Sequence, residues 1–320
     1  MTIILSDREY PESFATLKKM GVPLIAEERA KHQDIRPLRI GFLNLMPTAV
    51  MKNTEEQFFF LIGSTPLQII PEMLAFDEYV SSDARKKHLD AFYRKFSEVK
   101  EEGLDGLIVT GANLEEHSFE EVHYWREFKE LVGWARKSVA STLYSCWGAH
   151  AALNVFYGIE RERYTNKDGV PRKITGLFEH NLSDQYMSPF TIGLPDIVLC
   201  PHSHWSGVPR GEVRKQPELR ILLENPEAGI LLMEGRGGRE LYIQGHPEYA
   251  ADALRKEYER DRLPERFGEK AQLPQGYFVD GDFNKPSPNL WRASGVVLFH
   301  NWINHVYQTT NFDLRKTLME

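Results

Sequence analysis

SVASTLYSCWGAHAALNVFYG, residues 138–158, carries a short β-type run from Ser141 to Ser145 that stops at Cys146 and passes at once into a helix of small residues, residues 147–157. A side chain at such a junction stands at the carboxyl edge of a sheet. This is the geometry of a nucleophile elbow, in which N–H groups at a helix N-terminus face a thiolate and can receive an oxyanion. Gly148, Ala149, Ala151 and Ala152 would let the helix lie close on the sheet. By residue type alone a cysteine is most often a buried core residue, and Cys200, beside a later apolar run, is read that way.

What separates Cys146 is a partner. In LYIQGHPEYAADALRKEYERD, residues 241–261, a strand-like run enters Gly245, then His246, Pro247 and Glu248, and a helical pattern follows. Proline ends the strand and stiffens the loop, so His246 can face a cleft while Glu248, two residues on, orients its imidazole. Nucleophile, base and orienting carboxylate are the set that covalent acyl chemistry needs.

Outward from these two segments, apolar runs alternate with helical spacing. Strands are expected at residues 38–45, 67–70, 104–109 and 141–144, and helices at 54–61, 83–99 and 119–136, the last with Ser118 as N-cap and Glu121 as capping-box partner. Such alternation predicts an α/β fold with a mostly parallel sheet flanked by helices. Further strands are expected at residues 197–199, 221–223, 229–233 and 241–244, with a glycine turn, GRGGR, before the last. Helices should occupy residues 249–262 and 296–307. The organisation expected is an N-terminal extension over residues 1–36 ahead of the main sheet, one α/β domain over 37–308, and a tail at 309–320. A Pro-, Gly- and Asn-rich surface excursion at 263–292 interrupts the domain.

A chain of 320 residues with 42% hydrophobic residues can bury a large core, and a net charge of −7 without a basic run argues against a nucleic-acid binder. No apolar run is long enough to cross a membrane. The amino terminus, MTIILSDREYPESF, lacks the basic region and long apolar core of a secretory signal, and two cysteines make a poor disulfide framework, so a reducing cytoplasm is the expected setting. His202 and His204 in PHSHW have no nearby acidic or cysteine cluster to complete a metal shell. DGDFN, residues 280–284, has Trp291 where a calcium loop needs a glutamate, so no metal is expected.

Taken in order, the blocks IGFLNLMP (40–47), TEEQ (54–57), STPLQI (64–69), DGLIVTGA (105–112), STLYSCWGAHAALN (141–154), PHSHW (201–205), GHPEY (245–249) and NWINHVYQ (301–308) resemble the homoserine O-acyltransferase family of methionine biosynthesis. The resemblance covers nearly all of the chain after residue 35. It implies a flavodoxin-like, class I glutamine-amidotransferase-like fold, a homodimer, L-homoserine and an acyl-CoA as substrates, and no cofactor beyond that co-substrate. It implies that Cys146 takes the acyl group, His246 is the base, Glu248 completes the triad and the backbone at Trp147 serves the oxyanion. Lys173, Ser203 and Arg260 fall at the family's homoserine-contacting positions, where Arg and Lys suit a carboxylate.

Donor choice in the family follows a position just after the VTGA block, where glycine goes with succinyl-CoA. Here Glu115 stands there, and its carboxylate would repel the distal carboxylate of a succinyl group, so acetyl-CoA is the expected donor and succinyl-CoA the alternative. The segment TAVMKNTEEQ is longer than the family's loop, which carries an active-site lysine. Lys52 is its only lysine, at an unusual offset. Two other readings stay open. A glutamine amidotransferase-type hydrolase uses the same triad but usually has glycine where Tyr144 stands, and a non-catalytic binding module would leave Cys146 inert.

Overall fold

A computed structural model describes residues 2–6, 9–19, 22, 24–30, 36–77, 83–114, 117–183, 188–263, 267, 271–311, 313 and 314. The amino-terminal segment, expected to stand ahead of the main sheet, extends it instead. After β1 (Thr2–Leu5) come α1 (Glu12–Lys19), β2 (Leu24–Ala26) and α2 (Glu27–Ala30), and β1 pairs in parallel both with β2 and with a strand of the main sheet. The reason lies in Ile3, Phe14 and Leu17, which are fully buried in the common core. Ser13 also donates to the buried Glu55 carboxylate at 2.6 Å.

The next stretch alternates as expected. β3 (Leu38–Leu43), α3 (Thr48–Ile62), β4 (Gln68–Ala75), α4 (Asp83–Phe92), β5 (Arg94–Lys95), α5 (Phe96–Glu102), β6 (Gly106–Val109), α6 (Trp125–Ser138), β7 (Ser141–Ser145) and α7 (Trp147–Tyr157) give a sheet whose strand pairs here are all parallel. Residues 83–99, expected as one helix, are broken at Tyr93, whose hydroxyl donates to Glu55 at 2.7 Å, and Arg94–Lys95 pair with the end of β4. α6 starts at Trp125 rather than Phe119. The Ser118 N–H does bond the Glu121 carboxylate at 2.8 Å, but Phe119 turns in to stack on Trp125 at 5.2 Å, and turns occupy the residues between.

The second half reverses direction. β8 (Glu162–Arg163), β9 (Ile174–Leu182), β10 (Ile197–His204), β11 (Ser206–Gly207), α8 (Arg210–Arg214), β12 (Leu219–Asn225), β13 (Gly229–Gly235) and β14 (Glu240–Ile243) follow, with β8 and β11 forming a separate pair. Across the main sheet the order is β10-β9-β12-β13-β14-β7-β6-β3-β4-β1-β2, with β5 on β4. Strand pairing is antiparallel from β10 to β14, and β14 pairs in parallel with β7. GRGGR makes the β13–β14 turn, with positive φ at Arg236, Gly237 and Gly238. β9 was not anticipated, because Gly176 and the polar Glu179 and Asn181 hide its alternation.

Successive strand residues point to opposite faces, and each face has its own cover. Ile108, Leu143, Leu241 and Ile243 pack with Phe58, Phe299 and Trp302, whereas Leu107, Val109, Tyr144 and Tyr242 pack with Phe128, Val132 and Ala152. After β14 come α9 (Ala253–Asp261) and α10 (Arg292–Thr309). The excursion between them is more than surface. Tyr277 and Trp291 are buried, and the Trp291 indole N–H donates to the Tyr249 carbonyl at 2.8 Å, bracing the loop after β14.

Candidate active site

β7 and β14 are neighbours, with Ser145 opposite Ile243, so Cys146 and His246 leave the same edge of the sheet. Cys146 is the N-cap of α7 at φ 49° and ψ −114°, a left-handed conformation that a side chain rarely adopts. Its N–H donates to the Ile243 carbonyl at 2.7 Å, and its own carbonyl accepts from Ala149 and His150 at 3.0 and 3.2 Å. The partly exposed thiol is therefore held out at the tip of the turn. Gly111 closes the other side: a Cβ there would lie 3.6 Å from Cys146 Sγ. At Gly148 a Cβ would meet the Thr110 carbonyl oxygen at 2.7 Å, so the helix can lie this close only with glycine.

His246 is fixed from three sides. Its N–H donates to the Pro201 carbonyl at 2.8 Å, Nδ1–H donates to Glu248 Oε1 at 2.7 Å, and the Tyr249 ring stacks on the imidazole at 4.2 Å. The carboxylate can only accept, which sets the tautomer and leaves Nε2 free for Cys146, which acts electrostatically on the imidazole. Burial works against charge on this imidazole, but the Glu248 carboxylate and Cys146 outweigh it and hold the pKa well above the ordinary value.

Cys146, His246 and Glu248 open onto a cavity of about 410 Å³ that Lys173, Ser203 and Arg260 also line. Lys173 is buried and reaches Asp261 at 2.6 Å and Glu257 at 3.4 Å. Ser203, on β10 next to the start of β9, donates to Glu257, and Arg260 contacts Asp261 at 3.1 Å. Glu257, Arg260 and Asp261 share one face of α9 by their three- and four-residue spacing. Glu257 was missed in the sequence although that spacing is legible there. It also accepts from the Tyr249 hydroxyl; burial opposes its charge, yet Lys173 and the Ser203 and Tyr249 hydrogen bonds keep its pKa below the ordinary range.

One expectation changes. Lys52 does not enter the cavity: it is exposed and pairs with Glu12 at 2.8 Å. The longer loop is wound into the first turns of α3, and Ala49, Val50, Asn53, Thr54 and Gln57 on another face line the cavity. Glu115 lies outside the described residues. His202 and His204 are occupied with each other at 2.6 Å, and His202 also with His180 at 2.9 Å, in a chain of buried imidazoles that ends on the Ser206 carbonyl. Cys200 is buried in the core.

The fold is that of the glutamine amidotransferases. A glutamine amidotransferase from Thermotoga maritima superposes with a TM-score of 0.51 over 85% of this chain and 99% of that one at 12% identity, and one from Methylobacillus flagellatus with 0.51 over 85% and 96% at 11%. The sequence narrows this further. Residues 3–312 match the family described as homoserine O-succinyltransferase, and the chain belongs to that acyltransferase family. It is 44% identical over 304 residues to the homoserine O-acetyltransferase of Acetivibrio thermocellus, covering 94% of this chain and 95% of that protein. It is 40% identical over 315 residues to the homoserine O-succinyltransferase of Pseudoalteromonas translucida, covering 98% and 96%.

Proposed function

We propose that the protein is a homoserine O-acetyltransferase that works through a thioester on Cys146. The observation that carries this reading is the convergence of Cys146, His246 and Glu248 on a cavity also lined by two cations and a carboxylate, Lys173, Arg260 and Glu257, with Asp261 paired to both cations. An amino acid brings both charges. Its carboxylate suits Arg260 and Lys173, its ammonium suits Glu257, and Ser203 adds a short polar contact.

Cys146 Sγ attacks the carbonyl carbon of acetyl-CoA. The oxyanion meets the Trp147 N–H, which as the first amide of α7 has no carbonyl one turn back, and the Gly111 backbone beside Sγ. The Cys146 N–H is already engaged with Ile243. Collapse breaks the C–S bond to CoA, and the His246 imidazolium protonates the departing thiolate. His246 then takes the proton from the homoserine hydroxyl, that oxygen attacks the acetyl-enzyme, and the Cys146 thiolate leaves, giving O-acetylhomoserine for methionine biosynthesis.

Acetyl-CoA is favoured over succinyl-CoA by the carboxylate of Glu115 and by the acetyltransferase names of several relatives about 40% identical. The enzyme is read as a cytoplasmic homodimer that needs no metal or bound cofactor. Mixing with acetyl-CoA alone and recording the intact mass should show one acetyl group, absent in Cys146→Ala. Turnover should favour acetyl-CoA in the native chain and shift toward succinyl-CoA in Glu115→Gly. An unmodified Cys146, or glutaminase activity in place of acetyl transfer, would overturn the reading.

A further inference from the structure

Glu248 uses one carboxylate oxygen on His246; the other, Oε2, is buried and has no hydrogen-bond partner among the described residues. A buried carboxylate oxygen left bare is unfavourable, and native interiors rarely tolerate one. Among the described residues, other buried atoms of side chains on the active-site cavity also lack a partner, including Trp147 Nε1, His150 Nδ1 and, on α3, Gln57 Nε2, and of these only Gln57 shares a second cavity with Glu248. Gln57 and Glu248 both line the main cavity, and both line a second one of about 70 Å³ that shares part of its wall, bounded also by Phe60, Pro247, Tyr249 and Arg292. That volume holds a water with room to spare, since one needs on the order of 10–15 Å³ of such space. One water can satisfy both, accepting from the amide N–H and donating to the carboxylate oxygen.

We propose that Gln57 is a positioning residue of the triad, donating through one bound water to the Glu248 oxygen that His246 does not use. It rests on the triad reading above. The bridge fixes the carboxylate plane, and so the imidazole that must face Cys146 Sγ. It also shares the carboxylate's charge, which weakens the hold on the imidazole proton that His246 must give to the departing CoA thiolate.

The test compares the native chain with Gln57→Met, of similar size without a donor, and Gln57→Asn, which keeps the donor on a shorter arm. In Gln57→Met, kcat should fall roughly tenfold, as when outer partners of an oriented imidazole are removed, with KM for both substrates nearly unchanged. The acid limb of kcat/KM should move to higher pH, and Gln57→Asn should recover most of the loss. A crystal structure at high resolution should show a water within hydrogen-bond reach of Gln57 Nε2 and Glu248 Oε2. A native chain that gains no acetyl group would sink the triad reading itself. A native chain that does, with Gln57→Met folded and unchanged in kcat and pH profile, or with no water between the two atoms, overturns only this inference.

Discussion

Cys146 is one of three described non-glycine residues with positive φ, and the others, Arg236 and Asp280, lie in turns. A conformation of this kind costs roughly 1–3 kcal/mol at a non-glycine residue, and a glycine is free of that cost. Cys146→Gly should therefore be inactive yet more stable, with a melting temperature higher by about 1–4 °C in calorimetry. A lower melting temperature would show that the side chain contributes more packing than the turn costs. Cys146, His246 and Glu248 were legible in sequence because each stands at a strand end beside a breaker or a helix start. Gln57 was not: within TEEQ it is one polar residue on a helix, and only the packing of α3 against the triad loop singles it out.

At the scale of elements, the approach of α7 to β6 decides where the thiol lies. Gly148→Ala adds helix propensity of about 1 kcal/mol, but its Cβ would stand 2.7 Å from the Thr110 oxygen and 3.0 Å from that of Val109. Those are backbone atoms at the end of a central strand, and overpacking there costs typically 1–3 kcal/mol, so the clash outweighs the propensity. The variant should melt lower and lose kcat more than stability, because the helix N-terminus is lifted away from Gly111; equal or higher stability would contradict this. The parallel strands were readable from their apolar runs, and α7 matched its expected bounds. The starts of α3 and α6 and the break before β5 were not, since tertiary partners such as Glu55 and Trp147 settle them.

For the whole molecule, buried histidines set the response to acid. Burial lowers His150 to about 3, His180 to about 4 and His204 to about 3, and drives His202 well below its ordinary value. In the unfolded chain each takes a proton near pH 6.5, so the unfolded state binds more protons and stability falls as pH drops below about 6.5, by up to about 1.4 kcal/mol per unit for each group. His246 has the opposite sign: its raised pKa supports the fold below its ordinary value, and that support is lost as pH rises through the raised one. Several groups outweigh one, so melting temperature should drop steeply from pH 6.5 to pH 5; a flat profile would mean the imidazole chain accepts protons without unfolding. None of this was visible in sequence, where PHSHW suggested at most a metal lure and His180 drew no notice. The hold of Trp291 on the Tyr249 carbonyl has one more outcome, for synthesis on the ribosome. A nascent polypeptide that has emerged past Cys146 and even past His246 still lacks the brace on the loop that carries His246, so partly made chains should be inert toward thioesters until nearly the entire translation product is free.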